Sequence, residues 1–223
     1  MMDFGLYNED CMKGMAEFPD NYFDLAIVDP VYGGVTKGGY MKNLDSTTKL
    51  ARPKNYHLAL WEQEKTGKEY FKELFRVSKN QIVWGGNYFT EEINRNSQCW
   101  VVWDKRQTGS FADFEIAWTS FNRASRIFRY TWNGMLQEHM DNKEKRIHPT
   151  QKPVDLYKWL LQNFAEPGDT ILDTHVGSGS SLIACHHMQH KFVGFEIDPK
   201  YYEGAKQRLE DETAQLSIFD LRG

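Results

Sequence analysis

Asp29, Pro30, Val31 and Tyr32 follow the apolar run Phe23–Val28 in a chain of 223 residues. A carboxylate, a proline carbonyl and an aromatic ring within one tetrapeptide suit a particular chemistry. The lone pair of an aryl amine is delocalised into its ring, which makes it a poor nucleophile. If the Asp29 carboxylate and the Pro30 carbonyl accept its two N–H protons, the lone pair localises on nitrogen. It can then be aimed at an electrophilic methyl carbon without a strong base. Proline fixes φ, and with it the direction of its carbonyl. Tyr32 offers a face for a base rotated out of a duplex, a rotation the chemistry requires because the amino group is otherwise enclosed. Asp-Pro is also a common strand-ending turn, so the tetrapeptide alone does not decide the matter.

A second constellation lies in ILDTHVGSGSS, residues 171–181. Asp173 ends an apolar run, and Gly177 and Gly179 let the following turn curve tightly and approach a ligand. Glu196 ends the next apolar run, 23 residues after Asp173, where an acid can accept both hydroxyls of a ribose. A nicotinamide-binding G-x-G-x-x-G turn would need Gly or Ala at position 182, which is Leu here. A tight turn with no ligand is the remaining alternative. A nucleoside-bearing cofactor fits the two acids better.

Elements of α/β type must position these groups. Phe23–Val28, Gln81–Trp84, Cys99–Trp103 and Phe114–Thr119 read as short buried strands, and 62–77 and 153–164 as helices with an apolar face. Strand Thr170–Asp173, loop Val176–Ser181, helix Leu182–Met188, strand Phe192–Glu196 and helix Pro199–Leu209 form a βαβα unit, the building block of a doubly wound parallel sheet. Residues 33–57 read as a long loop and 121–147 as basic and irregular. The chain reads as one domain over 1–212 with a tail over 213–223.

Charge is unevenly distributed. The net charge is −4, yet 33–57 carries Lys37, Lys42, Lys49, Arg52 and Lys54 against Asp45 alone, and 121–147 includes Arg123, Arg126 and Arg129. Basic segments on an acidic body can meet phosphates, so Lys37, Lys42, Arg52, Lys54, Arg106, Arg123 and Arg126 are candidate DNA contacts. The cysteines, Cys11, Cys99 and Cys185, have no paired spacing, which argues against a disulfide framework and for a reducing, cytoplasmic compartment. There is no signal-like segment and no apolar run of membrane-spanning length. Cys185, His186, His187 and His190 cluster in sequence, but Cys185 is rotated off the His186–His190 face, and no metal site is expected.

DPVY resembles the D-P-P-Y signature of DNA amino-methyltransferases. ILDTHVGSGSS looks like their cofactor motif, and HPTQKP (148–153) like the segment preceding it; NYFDLAIVDPVY, QIVWGGNYF and CWVVWDK are similar to further blocks. The catalytic signature precedes the cofactor motif, the order of the permuted β-class. The resemblance implies a seven-stranded, mostly parallel, Rossmann-like sheet in circularly permuted order. It implies S-adenosylmethionine as cofactor, no metal, and double-stranded DNA as substrate. Asp29, Pro30 and Tyr32 would then bind and activate the base. Asp173, His175, Gly177, Ser178, Gly179 and Ser180, with Asp29 and Lys152, would surround the methionine end of the cofactor, Glu196 its ribose, and Asp10 and Cys11 its adenine. Asp29 favours adenine N6 over cytosine N4, since the cytosine enzymes more often carry Ser there. Val31 departs from the signature, which implies a looser loop. No large target-recognition insert is present, so 33–57 and 121–147 would read the target, as in compact, solitary, phage-type members.

Gln215–Phe219 resembles the short peptide that docks on bacterial sliding clamps, and homodimer formation is left open. Three rival readings remain: methylation of RNA or of a protein amide, a nucleic-acid-binding relic inactivated through Val31, and a nicotinamide oxidoreductase.

Overall fold

The computed structural model describes residues 2–33, 65–106, 112–133 and 136–220, with backbone only for 133 and 215–220. Ten strands and six α-helices are described: β1 (Gly5–Tyr7), α1 (Cys11–Ala16), β2 (Phe23–Val28), α2 (Lys68–Val77), β3 (Ser78–Trp84), α3 (Thr90–Ile93), β4 (Trp100–Asp104), β5 (Phe114–Thr119), β6 (Arg126–Arg129), β7 (Trp132–Asn133), β8 (Leu136–Gln137), α4 (Val154–Phe164), β9 (Thr170–Asp173), α5 (Ser180–His187), β10 (Lys191–Phe195) and α6 (Pro199–Asp220). A 3-10 turn at Gly86–Tyr88 follows β3.

One eight-stranded sheet runs in the order β1-β10-β9-β2-β3-β5-β4-β6. Only the β3–β5 and β4–β5 pairings are antiparallel, so β5 alone runs against the rest. The mostly parallel α/β sheet expected from sequence is present, with one strand more than seven. The extra count comes from short edge strands. β6 lies inside the segment read as irregular, and so does the β7–β8 hairpin. RIFR is exposed at Arg126, Ile127 and Arg129 and half-buried only at Phe128, which leaves little apolar signal to mark a strand.

β2 shows how the sheet is held. Leu25 and Ile27 face one layer, with Leu156, Leu160 and Leu161 of α4 and Ile183 and Ala184 of α5. Ala26 and Val28 face the other, with Met15 of α1 and Tyr70, Phe71 and Leu74 of α2. Alternation along a strand sends successive side chains to opposite faces, so a run buried throughout requires helices on both. Pro153 stands at the N-cap of α4, where its missing N–H costs nothing.

The crossovers decide where a site can form. The β2–α2–β3 crossover lies on one face and β9–α5–β10 on the other, while β2 and β9 are adjacent and parallel. Neighbouring strands whose connections leave to opposite faces open a crevice beyond their carboxyl ends. Asp29 and Asp173 stand at those two ends.

The last helix continues to Asp220, well past the expected end at Leu209, so Gln215–Phe219 falls on its backbone span. No Gly or Pro interrupts residues 205–220, and Ala, Gln, Leu and Glu favour the helix throughout. Among the described residues no helix is long and apolar enough to cross a membrane.

Candidate active site

Asp29 emerges from β2 with both carboxylate oxygens engaged. The Tyr32 hydroxyl donates to Oδ1, and the Lys152 ammonium to Oδ2. A carboxylate offers about four lone-pair directions, so each oxygen can still accept another proton. The Val31 carbonyl accepts from the Thr66 N–H at 3.0 Å and from the Thr66 hydroxyl at 3.2 Å. The loop is therefore pinned at the position where it departs from D-P-P-Y, contrary to the looseness expected.

Tyr32 is walled by aromatic rings. Tyr88 stacks on it at 5.0 Å and 27°, and Phe89 lies at 5.9 Å. Gly85 permits this approach. Its φ is +64°, and an added Cβ would fall 2.3 Å from the Tyr32 ring. Gly85→Ala should therefore displace Tyr32 and strain the turn, costing about 1–3 kcal/mol of stability. A lowered thermal midpoint, together with changed tyrosine fluorescence, is the expected readout.

Behind Asp29 lies a chain of alternating charges. Lys152 Nζ also contacts Glu115 at 3.3 Å, and Lys105 Nζ reaches Glu115 at 2.6 Å. Lys152 is 3% exposed, and its ammonium lies 5.4 Å from the Trp84 ring centre. Burial alone would push the Lys152 ammonium down, but Asp29 and Glu115 outweigh it and hold its pKa above the usual lysine value. Burial likewise pushes Glu115 up, and Lys152 and Lys105 reverse this, holding it below the ordinary carboxylate range.

The glycine turn follows β9. The Asp173 carboxylate accepts from the Ser181 hydroxyl at 2.5 Å and from the His175 N–H at 3.0 Å. Gly177 and Gly179 hold φ of +55° and +81°. Glu196 accepts from the Gly177 N–H at 2.8 Å and the Asp198 N–H at 2.9 Å. Burial pushes Asp173 up to about 6 and Glu196 up to about 7. Both acids are held by hydroxyl and backbone donors. A ligand bringing hydroxyls and positive charge would satisfy what these donors leave over, and the donor set fits a ribose beside a methionine-derived sulfonium.

The two constellations stand at the carboxyl ends of adjacent parallel strands. The charge of Asp29 acts on Asp173, and on the rings of His148 and His175. Burial is the largest effect on both histidines, bringing them down to about 4 and outweighing the acids around them. His148 packs edge-on against Tyr201 at 4.2 Å and borders Gly177, where an added Cβ would lie 3.6 Å from its ring. His175 hydrogen-bonds the Thr174 hydroxyl at 2.9 Å, and Thr174 bonds the Tyr70 hydroxyl at 2.6 Å. Cys11 senses Glu196; burial first, then Asp10, pushes its thiol up to about 12.

Several expected residues have other work. Asp10 is the N-cap of α1, accepting from the Met12 N–H at 2.9 Å. Lys152 is bonded to Asp29 and Glu115, on the catalytic side of the cleft. Ser178 and Ser180 bond one another at 3.1 Å and are both held by Arg208. His187 pairs with Glu212 at 3.3 Å. Lys37, Lys42, Arg52 and Lys54 lie outside the described residues.

Arg123 and Arg126, candidate DNA contacts, lie away from the Asp29 edge. β5 runs away from the Asp29 edge, so residues 120–126 emerge at the opposite edge of the sheet. The Arg123 guanidinium lies 3.8 Å from the Phe164 ring centre and donates to the Asn163 carbonyl, a packing role. β6 returns the chain, so Arg129 stands opposite Asp104, beside Arg106. Arg106 pairs with Glu138 at 3.0 Å and Arg129 with Asp104 at 3.5 Å.

Glu115 and Tyr88 were not singled out from sequence. A charged residue inside the apolar run FEIAWT was the available signal for Glu115. Tyr88 sits in QIVWGGNYF without a distinguishing pattern.

The DNA methylase family profile, N6_N4_Mtase, matches residues 87–207. The chain is similar to the type II methyltransferase M.HpaI of Haemophilus parainfluenzae, at 40% identity over 99% of this chain and 79% of the relative. It is also similar to the putative methylase YubD of Escherichia coli K12, at 24% identity over 90% and 87%. Among solved structures, the M1.HpyAVI–SAM complex superposes with a TM-score of 0.56 at 19% identity, covering 91% of this chain and 98% of that one. The cytosine-N4-specific PvuII DNA methyltransferase reaches 0.60 at 14% identity, over 96% and 91%.

Proposed function

The chain belongs to the N6/N4 family of DNA methylases, and we propose that within it the enzyme methylates the exocyclic N6 amino group of adenine in double-stranded DNA. The family is S-adenosylmethionine-dependent. The observation carrying the proposal is the juxtaposition of Asp29 and Asp173 at the ends of adjacent parallel strands, with the charge of one acting on the other.

When bound, the cofactor supplies an electrophilic methyl group. Asp29 and the Pro30 carbonyl accept hydrogen bonds from the two amino N–H groups and aim the nitrogen lone pair. Lys152 and Tyr32 fix the Asp29 carboxylate. Glu196 would hold the ribose hydroxyls, Asp173 and the turn 177–180 the methionine end, and Cys11 would border the adenine. His148 and His175, both neutral at physiological pH, shape the pocket without carrying protons. Tyr88, 44% exposed, covers one face of Tyr32, so it must move aside before a base can stack there.

Asp29 favours adenine, since the cytosine-N4 members of the family more often carry Ser at that position. The cytosine-N4 likeness among the solved structures extends to the fold. Digesting DNA methylated by the protein with isotopically labelled cofactor and separating the nucleosides decides the base. N6-methyldeoxyadenosine supports the proposal, N4-methyldeoxycytidine replaces it, and cofactor binding without transfer identifies a relic. Target reading is assigned to 33–57 and to the Asp29-edge part of 121–147. Sliding-clamp docking through Gln215–Phe219 remains a proposal, tested by retention on immobilised clamp and its loss in Leu216→Ala.

Cofactor affinity should depend on pH. A ribose can donate both hydroxyls only to an ionised Glu196, whose pKa lies at about 7. Affinity should fall about tenfold from pH 8 to pH 6, as followed by calorimetry, and Glu196→Gln should flatten the profile. The ligand-free fold follows the opposite sign. Raised carboxylates contribute stability below their unfolded pKa and lose it as pH rises through 6 to 7.

A further inference from the structure

We propose that Glu144 and Arg208 are positioning residues that set the cofactor turn and tie it to the segment carrying Lys152. The proposal rests on the reading of residues 176–180 as the cofactor turn.

Arg208 projects from α6 onto that turn. Its Nη1 donates to the Ser178 carbonyl at 2.7 Å and to the Ser180 hydroxyl at 3.1 Å. Its Nη2 donates to Glu144 Oε2 at 2.8 Å. The two side chains are only 16% and 21% exposed. The other Glu144 oxygen, Oε1, accepts the Val154 N–H at 2.9 Å. That N–H is the first of α4, two residues after Lys152, and a carboxylate there also meets the positive end of the helix. One guanidinium and one carboxylate thus bridge three places: the turn after β9, the start of α4, and the segment between β8 and α4.

That segment is itself fixed. The Gln137 side chain brackets the Glu144 backbone in both directions, accepting its N–H at 2.8 Å and donating to its carbonyl at 2.9 Å. The same segment touches α6 again where Ile147 lies 3.0 Å from the place a Cβ would occupy on Gly204. The Ser178 carbonyl has a direction set by Arg208, and so has the Ser180 hydroxyl at the start of α5. The turn holds two positive-φ glycines, and beside the Arg208 bonds the Ser180 hydroxyl meets the Ser178 hydroxyl at 3.1 Å. A fork of fixed N–H donors can hold a carbonyl, a hydroxyl and a carboxylate together, whereas an ammonium holds them one at a time.

The test uses the full-length protein and S-adenosylhomocysteine as probe, with calorimetric affinity, KM for S-adenosylmethionine, kcat and thermal midpoint measured on each variant. Arg208→Met should weaken binding and raise KM for the cofactor by about 10–100-fold, with a smaller change in kcat. Arg208→Lys should recover only part of this. Glu144→Gln, which keeps an acceptor for the Val154 N–H but presents donors to Arg208, should raise KM about tenfold. Arg76→Met is the control. Arg76 holds Glu73, Asp20 and the Met15 and Phe18 carbonyls at the far end of α2, so its loss should lower the thermal midpoint and leave KM unchanged. If Arg208→Met does not fold, Arg208→Lys and Glu144→Gln carry the comparison. Unchanged cofactor KM in the Arg208 and Glu144 variants overturns the proposal. So does a rise in KM that Arg76→Met matches at equal loss of stability. A wild-type protein that binds no S-adenosylhomocysteine would instead overturn the assignment of the turn itself.

Discussion

Asp29→Ala should lose about a thousandfold in kcat for methyl transfer, while cofactor affinity changes by no more than a few fold. The loss follows from geometry. Asp29 is the carboxylate at the carboxyl end of β2, next to the strand that carries Asp173. Without it, one amino proton of the base has no acceptor, and the lone pair returns to the ring. Cofactor affinity survives because the ligand's own partners, Glu196 and the turn after β9, belong to other strands. Asp29→Asn sharpens the test. Its amide keeps one oxygen but brings an N–H₂ group toward the Lys152 ammonium, so part of the rate should be lost even with the shape preserved. Rapid-quench measurement with saturating cofactor separates the chemical step from product release. Near-normal turnover in Asp29→Ala would remove Asp29 from the mechanism.

The second large effect concerns stability. Lys152→Met should destabilise the protein by about 3–5 kcal/mol, roughly 10 °C in thermal midpoint, because Asp29 and Glu115 are left facing one another without the cation between them. The sign of the pH dependence identifies the cause. In the wild type Lys152 and Lys105 hold Glu115 below its ordinary value, so its contribution is present at neutral pH and lost as pH falls through that lowered pKa. In the variant Glu115 loses one of the two cations that hold it down, so it protonates at a higher pH than in the wild type and relieves the repulsion. The gap in thermal midpoint between the two proteins should therefore narrow toward pH 5. A gap independent of pH would indicate lost packing against Trp84 instead. Activity should fall as well, since Lys152 fixes one Asp29 oxygen.

The sequence carried the site's two halves plainly because each follows a strand buried on both faces. Such strands read as short apolar runs, and a polar residue ending one is conspicuous; Asp29, Asp173 and Glu196 all stand out this way. The βαβα unit after residue 169 was legible for the same reason. What failed depended on direction rather than pattern. Nothing in FEIAWT reveals that β5 runs against its neighbours, yet that reversal carries Arg123 and Arg126 to the wrong edge for contact near Asp29. Edge strands β1 and β6 are short and only partly buried, and left almost no periodic signal. The partners of Lys152 could not be read, because Asp29 and Glu115 are brought to it from strands β2 and β5. Arg208 and Glu144 were invisible for a related reason. Each is an ordinary charged residue in a polar stretch, and only the fold makes them one contact.

The central claim is spatial: the Asp29 loop and the glycine turn are two walls of one reaction cleft. A crystal structure of the protein with S-adenosylhomocysteine bound tests it most directly. The ribose should lie on Glu196, the amino-acid end in the turn after β9, and the sulfur should turn toward Asp29 with room between them for one methyl group and an amino nitrogen at about 3–3.5 Å reach. A ligand bound elsewhere, or one in this turn with its sulfur directed away from Asp29, would contradict it.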